Sequence, residues 1–98
     1  MIRRQTLPAS NQVQITFVLP ADFPHVPISV VGDFNQWDAS VHPLTRGCDG
    51  TYQVTVMLEA GRRYAFRYLS QGGKWFHEGF ADDLEPGPFG GYNSILVT

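Results

Sequence analysis

The strongest constraint on this chain is a period of two. From Gln12, the sequence QVQITFVL sets Val13, Ile15, Phe17 and Leu19 on one side and Gln12, Gln14, Thr16 and Val18 on the other. An extended backbone throws successive side chains to opposite faces, so the pattern encodes a half-buried strand. The alternation returns in TYQVTVMLE, with Tyr52, Val54, Val56 and Leu58 against Thr51, Gln53, Thr55 and Met57. It returns again in RRYAFRYL, where Tyr64, Phe66 and Tyr68 form the inward set and Arg63, Ala65 and Arg67 the outward one. No stretch keeps a helical period for more than one turn. The chain is expected to be all-β.

Turn residues divide these strands. Pro20, Pro24 and Pro27 punctuate PADFPHVP and exclude a helix there. Ile28–Val31 then reads as a strand, HPLTRGCDG as a loop with a short edge strand near Leu44, and Asp49-Gly50 and Glu59-Ala60-Gly61 as turns. SQGGK is a hairpin loop, WFHE a short strand, GFADDLEPGPFGGY a long irregular loop, and NSILVT the last strand. Six to eight short strands between Gly/Pro turns predict an antiparallel β-sandwich. With 98 residues there is room for one domain. Residues 1–11 read as a flexible N-terminal arm or a short edge segment, and 12–98 as the sandwich.

Several function classes drop out. Seven basic against nine acidic residues give a formal charge of -2, which attracts neither nucleic acid nor an anionic membrane. Arg62, Arg63, Arg67 and Lys74 gather locally, but Glu78, Asp82, Asp83 and Glu85 follow and offset them. The single Cys48 can form no internal disulfide and has no zinc-site spacing around it; it is expected to be a buried or half-buried thiol. No basic-plus-apolar leader opens the sequence and no apolar run approaches the ~20 residues of a membrane span, so a cytoplasmic setting is expected. His25, His42 and His77 are scattered, with no nucleophile beside them. His77-Glu78 and Asp82-Asp83 lack a metal-ligand spacing. Carboxylates abound, but so small a sandwich offers no deep cleft to hold a catalytic pair. No catalytic residue, cofactor or metal is expected.

What remains is a set of aromatics in loops. Trp37 ends the polar turn GDFNQW, Trp75 follows Gly72-Gly73, and Phe89 sits in PGPFGGYN. A tryptophan offers a broad apolar face with one N–H donor. A pyranose ring presents a flat face of C–H bonds to stack on it and hydroxyls around its rim. Trp37 and Trp75 as platforms with Asn93 as an amide partner make a sensible sugar site. From residue type alone, an equal reading has both tryptophans capping the core.

The stretches VVGDFNQW, PLTRGCDGTYQVTVMLEAGRRYAFRY, GGKWFHEG and GGYNSILV resemble the family-48 carbohydrate-binding modules. That family includes the glycogen-binding domain of the AMP-activated protein kinase β subunit and the early-set N-terminal domains of isoamylases and branching enzymes. The resemblance runs from about Val13 to Thr98. It implies an immunoglobulin-like sandwich whose two tryptophans, here Trp37 and Trp75, stack on neighbouring glucose units of an α-1,4-glucan. It further implies Asn93 as the amide partner, Phe89 as an apolar contact, Phe34 as a buried anchor, and Asp33 and Asn35 as turn formers. Two departures stand out. The kinase domain has a lysine on the sugar side of the strand where this chain has Ala65, leaving Arg67 or Lys74 to supply the donor. The connection LPADFPHVP is also longer. The expected function is non-catalytic binding of α-1,4-linked glucan: glycogen, starch or maltooligosaccharides. The alternative is a regulatory module of glycogen metabolism that has lost sugar binding and meets a glycogen-metabolising enzyme.

Overall fold

The computed structural model describes residues 1–7, 10–79, 81–87 and 90–98. Among them, β1 (Ile2–Thr6), β2 (Gln12–Leu19), β5 (Tyr52–Glu59) and β4 (Thr45–Arg46) form one sheet in the order β1-β2-β5-β4. The second sheet runs β3 (Ile28–Gly32), β6 (Arg63–Ser70), β9 (Tyr92–Val97) and β8 (Asp83–Pro86), with the two-residue β7 (Trp75–Phe76) also paired to β6. All of these pairings are antiparallel. The expected sandwich is the observed architecture.

The alternating residues build the core as the pattern requires. Val13, Ile15, Phe17 and Leu19 of β2 and Val56 and Leu58 of β5 face Ile28, Val30, Phe66, Tyr68 and Leu96 of the other sheet. Phe17 sits centrally, its ring 5.1 Å from that of Phe66 and 5.8 Å from that of Phe34. β2 pairs with β5 so that Val13 meets Leu58 and Ile15 meets Val56. A slip of one residue would turn that whole apolar set to solvent, so burial fixes the register.

One edge strand fits the second of two expectations, and another departs from what the sequence suggested. Of residues 1–11, read as an arm or an edge segment, Ile2–Thr6 pair along β2 from Ile2 opposite Phe17 to Thr6 opposite Val13. The long irregular loop expected near residue 80 contains β8, with Leu84 opposite Ser94 and Glu85 opposite Asn93. Both are edge strands with mostly exposed side chains. An edge strand needs its neighbour's free N–H and C=O groups more than an apolar stripe, so no periodicity advertises it. Of WFHE, only Trp75 and Phe76 are strand. Cys48, expected buried or half-buried, is exposed. It rides on the Gly47–Gly50 turn, which is closed by the Gly50 N–H on the Gly47 carbonyl at 3.0 Å.

Candidate functional site

The outward face of the β3-β6-β9-β8 sheet carries Trp75. On β6, Phe66 and Tyr68 enter the core, so Ala65, Arg67 and Leu69 point the other way. Cross-strand partners share a face. Ser29, Leu69 and Trp75 therefore make one row, and Val31 and Arg67 the next. Val31, Ala65 and Ile95 have only 0%, 7% and 1% of their surface exposed although they belong to this outer face. The middle of the face is thus a covered, apolar floor.

Trp37 stands on the turn that follows β3. Gly32 lets the chain turn: a Cβ there would lie 2.5 Å from the Ala65 carbonyl oxygen and 2.8 Å from the Phe66 Cβ. A single 3-10 helical turn, Asp33–Asn35, follows. Asn35 is buried and tied on three sides. Its Oδ1 accepts the Gly32 N–H at 3.0 Å, and its Nδ2 lies 3.1 Å from the Val30 carbonyl and 2.9 Å from His42 Nδ1. Phe34, expected as a buried anchor, is half-buried and packs against the core.

Gln36 and Trp37 then both adopt left-handed backbone, with φ of 53° and 57°. That is costly for a bulky residue, about 1–3 kcal/mol each, and persists only where the surroundings impose it. Here the Trp37 N–H bonds the Gly32 carbonyl at 3.0 Å, and its indole N–H bonds Asp33 Oδ1 at 3.1 Å. Asp33 Oδ2 in turn accepts the Ala65 N–H at 2.9 Å. One carboxylate therefore pins the indole to β6. Expected only as a turn former, Asp33 is the clamp of this tryptophan, and no sequence spacing signals a contact across 32 residues. The ring itself stays 36% exposed.

Trp75 is turned outward by its neighbours. The Phe76 ring packs on Phe23 and His25, with centroids 5.4 and 5.0 Å apart. Two residues on, buried Glu78 accepts the Tyr68 hydroxyl at 2.5 Å, and its own N–H bonds Ser94 Oγ at 2.7 Å. Burial first, and the Glu78 charge second, push the Tyr68 phenol far above its ordinary range, so it remains a donor. With Phe76 and Glu78 held inside, alternation leaves Trp75 outside and 48% exposed. Neither tryptophan belongs to the core cluster, which removes the reading of both as core caps.

Arg67 joins these parts. Its Nε donates to Asn93 Oδ1 at 2.6 Å, its Nη2 donates to the Gly90 carbonyl at 2.9 Å, and its guanidinium lies 5.9 Å from the centre of the Trp75 ring. A Cβ at Gly87 would press on Arg67 Nη2, so the guanidinium would have to shift to make room for it. Asn93 is buried with 7% exposure. Because Arg67 occupies Oδ1, the Asn93 amide is oriented to present its Nδ2 donor.

The structure thus gathers Trp75, Asn93 and Arg67 directly, and connects Trp37 to them through Asp33 and the β6 backbone. It does not bring Lys74 into this group. Lys74 lines a groove against Pro24–Pro27, from which Trp75 is absent. Phe89, expected as an apolar contact, lies outside the described residues. Arg62 and Arg63 are tied to Glu59 at 2.7 Å and Glu85 at 3.3 Å, so the local basic cluster is neutralised in place. Among the described residues no group of three or more His, Cys, Asp or Glu could hold a metal ion. Nor is any helix there long and apolar enough to cross a membrane.

Two packed antiparallel sheets of this topology define an immunoglobulin-like, early-set β-sandwich. Residues 26–82 match carbohydrate-binding module 48, the isoamylase N-terminal domain, and the chain belongs to that family. The matched segment holds Trp37, Arg67 and Trp75, while Asn93 lies beyond it. Among curated proteins, the chain is similar to the 1,4-alpha-glucan branching enzyme GlgB of Thiobacillus denitrificans, at 43% identity over 49 residues, 48% of this chain and 7% of the enzyme. An alpha-amylase of Niallia circulans is 35% identical over 71 residues, 69% of this chain and 5% of that enzyme. GlgB of Deinococcus radiodurans is 44% identical over 48 residues, 48% of this chain and 7% of the enzyme. The chain therefore corresponds to a small part of each relative, and what it shares with them is a carbohydrate-binding module of family 48.

Proposed function

We propose that this domain binds α-1,4-linked glucan without acting on it, by stacking sugar rings on Trp37 and Trp75. The observation that carries the reading is the cost the fold bears to keep two tryptophans exposed, one on the turn after β3 and one on the outer face of the second sheet. Trp37 is held in left-handed backbone and clamped by Asp33. Trp75 is flanked by the Arg67 guanidinium and turned out by Phe76 and Glu78. The apolar rings meet C–H faces, while Asn93 Nδ2 and the three remaining Arg67 N–H donors meet hydroxyl or ring oxygens.

Two stacks at about 0.5–1.5 kcal/mol each and three or four hydrogen bonds near 1 kcal/mol net total about 4–7 kcal/mol, a Kd of about 1 mM to about 10 μM. Such affinity suits repeated contacts along a polymer. Titration with maltoheptaose should shift tryptophan emission and saturate in that range, with cellohexaose inert. A flat response through several millimolar maltoheptaose would sink the proposal.

One observation favours a second reading. Ala65, where the kinase-type domain has a lysine, supplies no donor and is itself buried. A module that had lost its sugar would be left to bind a protein, such as a glycogen-metabolising enzyme. A gel-filtration shift with such an enzyme, in a protein silent to maltoheptaose, would favour it.

A further inference from the structure

On the face that bears Trp75 lies a groove of about 360 Å3, lined by Pro27, Ser29, Ala39, Ser40 and the Leu69–Gln71 segment. Its position is set by the sheet. Ser29 and Leu69 stand in the same cross-strand row as Trp75, so the groove opens one and two strands away from that ring. Neighbouring strands are about 4.8 Å apart, a step close to the width of one pyranose ring. The far wall begins two residues after Trp37, so the groove runs from the Trp75 row towards the loop that carries the other platform.

The wall is a fixed one. Asp38 Oδ1 accepts both the Ser40 N–H at 2.9 Å and the Ser40 hydroxyl at 2.7 Å. Those same bonds hold the Asp38 carboxyl below the usual carboxylate range, so it stays an anion engaged by Ser40. On the other side the Gln71 N–H bonds the Pro27 carbonyl at 2.9 Å, which fixes the opposite rim.

The chemistry of the lining selects the class of ligand. Leu69, Pro27 and Ala39 give an apolar bed; Ser29, Ser40 and Gln71 give hydroxyls and an amide. None of the lining residues is charged, so nothing there rewards an ionic ligand. An uncharged bed with both donors and acceptors on its rim fits a neutral polyol that has C–H faces and hydroxyl edges. We propose that this groove is an extension subsite, taking the next glucosyl residues of the chain that stacks on Trp75. The inference rests on the glucan-binding reading above and adds to it a length requirement: short oligosaccharides fill only the tryptophan face, while longer ones also enter the groove.

The test is calorimetric titration of maltotriose and maltoheptaose into the wild-type protein, Ser29→Phe and Trp75→Ala. Ser29 is a half-buried strand position whose side chain faces the groove, and phenylalanine suits a strand, so Ser29→Phe fills the groove without disturbing the sheet. Wild type should bind maltoheptaose at least tenfold more tightly than maltotriose. Ser29→Phe should bring maltoheptaose to within about twofold to threefold of maltotriose, whose own affinity stays unchanged. A Gln71→Ala variant, exposed and safe for folding, should lose part of the same preference. Trp75→Ala should lose both sugars. If wild type binds both sugars and Ser29→Phe keeps the full preference for the longer one, the subsite is overturned while the platform stands. If wild type binds neither, the glucan-binding reading falls and takes the subsite with it.

Discussion

Arg67 is the residue on which most of the site turns. It orients the Asn93 amide, holds the Gly90 carbonyl and flanks Trp75, all from the outward face of β6. A guanidinium can do all this because its donors fan out in a plane that also stacks on aromatic rings. Methionine at this position would keep most of the alkyl length and remove every donor. Hydrogen bonds to charged groups are worth about 1.5–3 kcal/mol. Arg67→Met should therefore weaken maltoheptaose binding by about tenfold or more, with Asn93 freed to rotate. Lys74 sits in a different groove, and Lys74→Ala should change binding by less than about twofold, since surface charges contribute little. Titration of the two variants side by side decides between the two candidate donors. Equal losses would show that Arg67 has no special part.

At the scale of elements, the site depends on how closely β3 and its turn approach β6. Gly32 is extended rather than left-handed, so it is required by space and not by backbone freedom. A methyl group there meets the Ala65 carbonyl, which is backbone and belongs to the strand that bears Arg67. Overpacking of this kind costs about 1–3 kcal/mol. Gly32→Ala should lower the urea midpoint accordingly. Glucan binding should weaken as well, because the shift is transmitted through the Asp33–Ala65 bond to Trp37. A variant with unchanged midpoint and unchanged binding would mean that the two strands have slack which the packing does not show. The tie across β7 follows the same logic: Tyr68, Glu78 and Ser94 fix the inner partners, and Trp75 is outside as a result.

At the scale of the whole molecule, the turn that carries Trp37 couples stability to pH through His42. Burial lowers this imidazole below its ordinary value of 6.5. The ring also accepts a hydrogen bond from Asn35 Nδ2 and lies tilted against Phe34, at 5.8 Å between centroids. A base with a lowered pKa binds its proton more readily in the unfolded chain. Its contribution is therefore complete above pH 6.5 and lost as the pH falls below it. Urea unfolding at pH 7.5 and 5.5 should show this loss in the wild type, and His42→Asn should flatten it while lowering stability overall. An identical pH slope in both proteins would exclude His42 as the source. Asp38 and Asp49, lowered by hydrogen bonds from Ser40 and Thr51, lose their contribution only below 3.8 and do not enter this window.

The sequence alone determined the sandwich, its inward residues and the aromatic candidates, because each is written locally: a period of two over eight residues, or a tryptophan among glycines and polar turn formers. It also marked Asn93 and Arg67, the one by family resemblance and the other by its outward place in the β6 alternation. Only the tertiary structure showed the Arg67 guanidinium 5.9 Å from the centre of the Trp75 ring and bonded to Asn93, contacts made between strands far apart in the sequence. Only the structure revealed the Asp33 clamp, the strand β8 and the covered floor of Val31, Ala65 and Ile95. Those features come from contacts between distant segments, whose partners follow from strand pairing and close packing and leave no local periodicity behind.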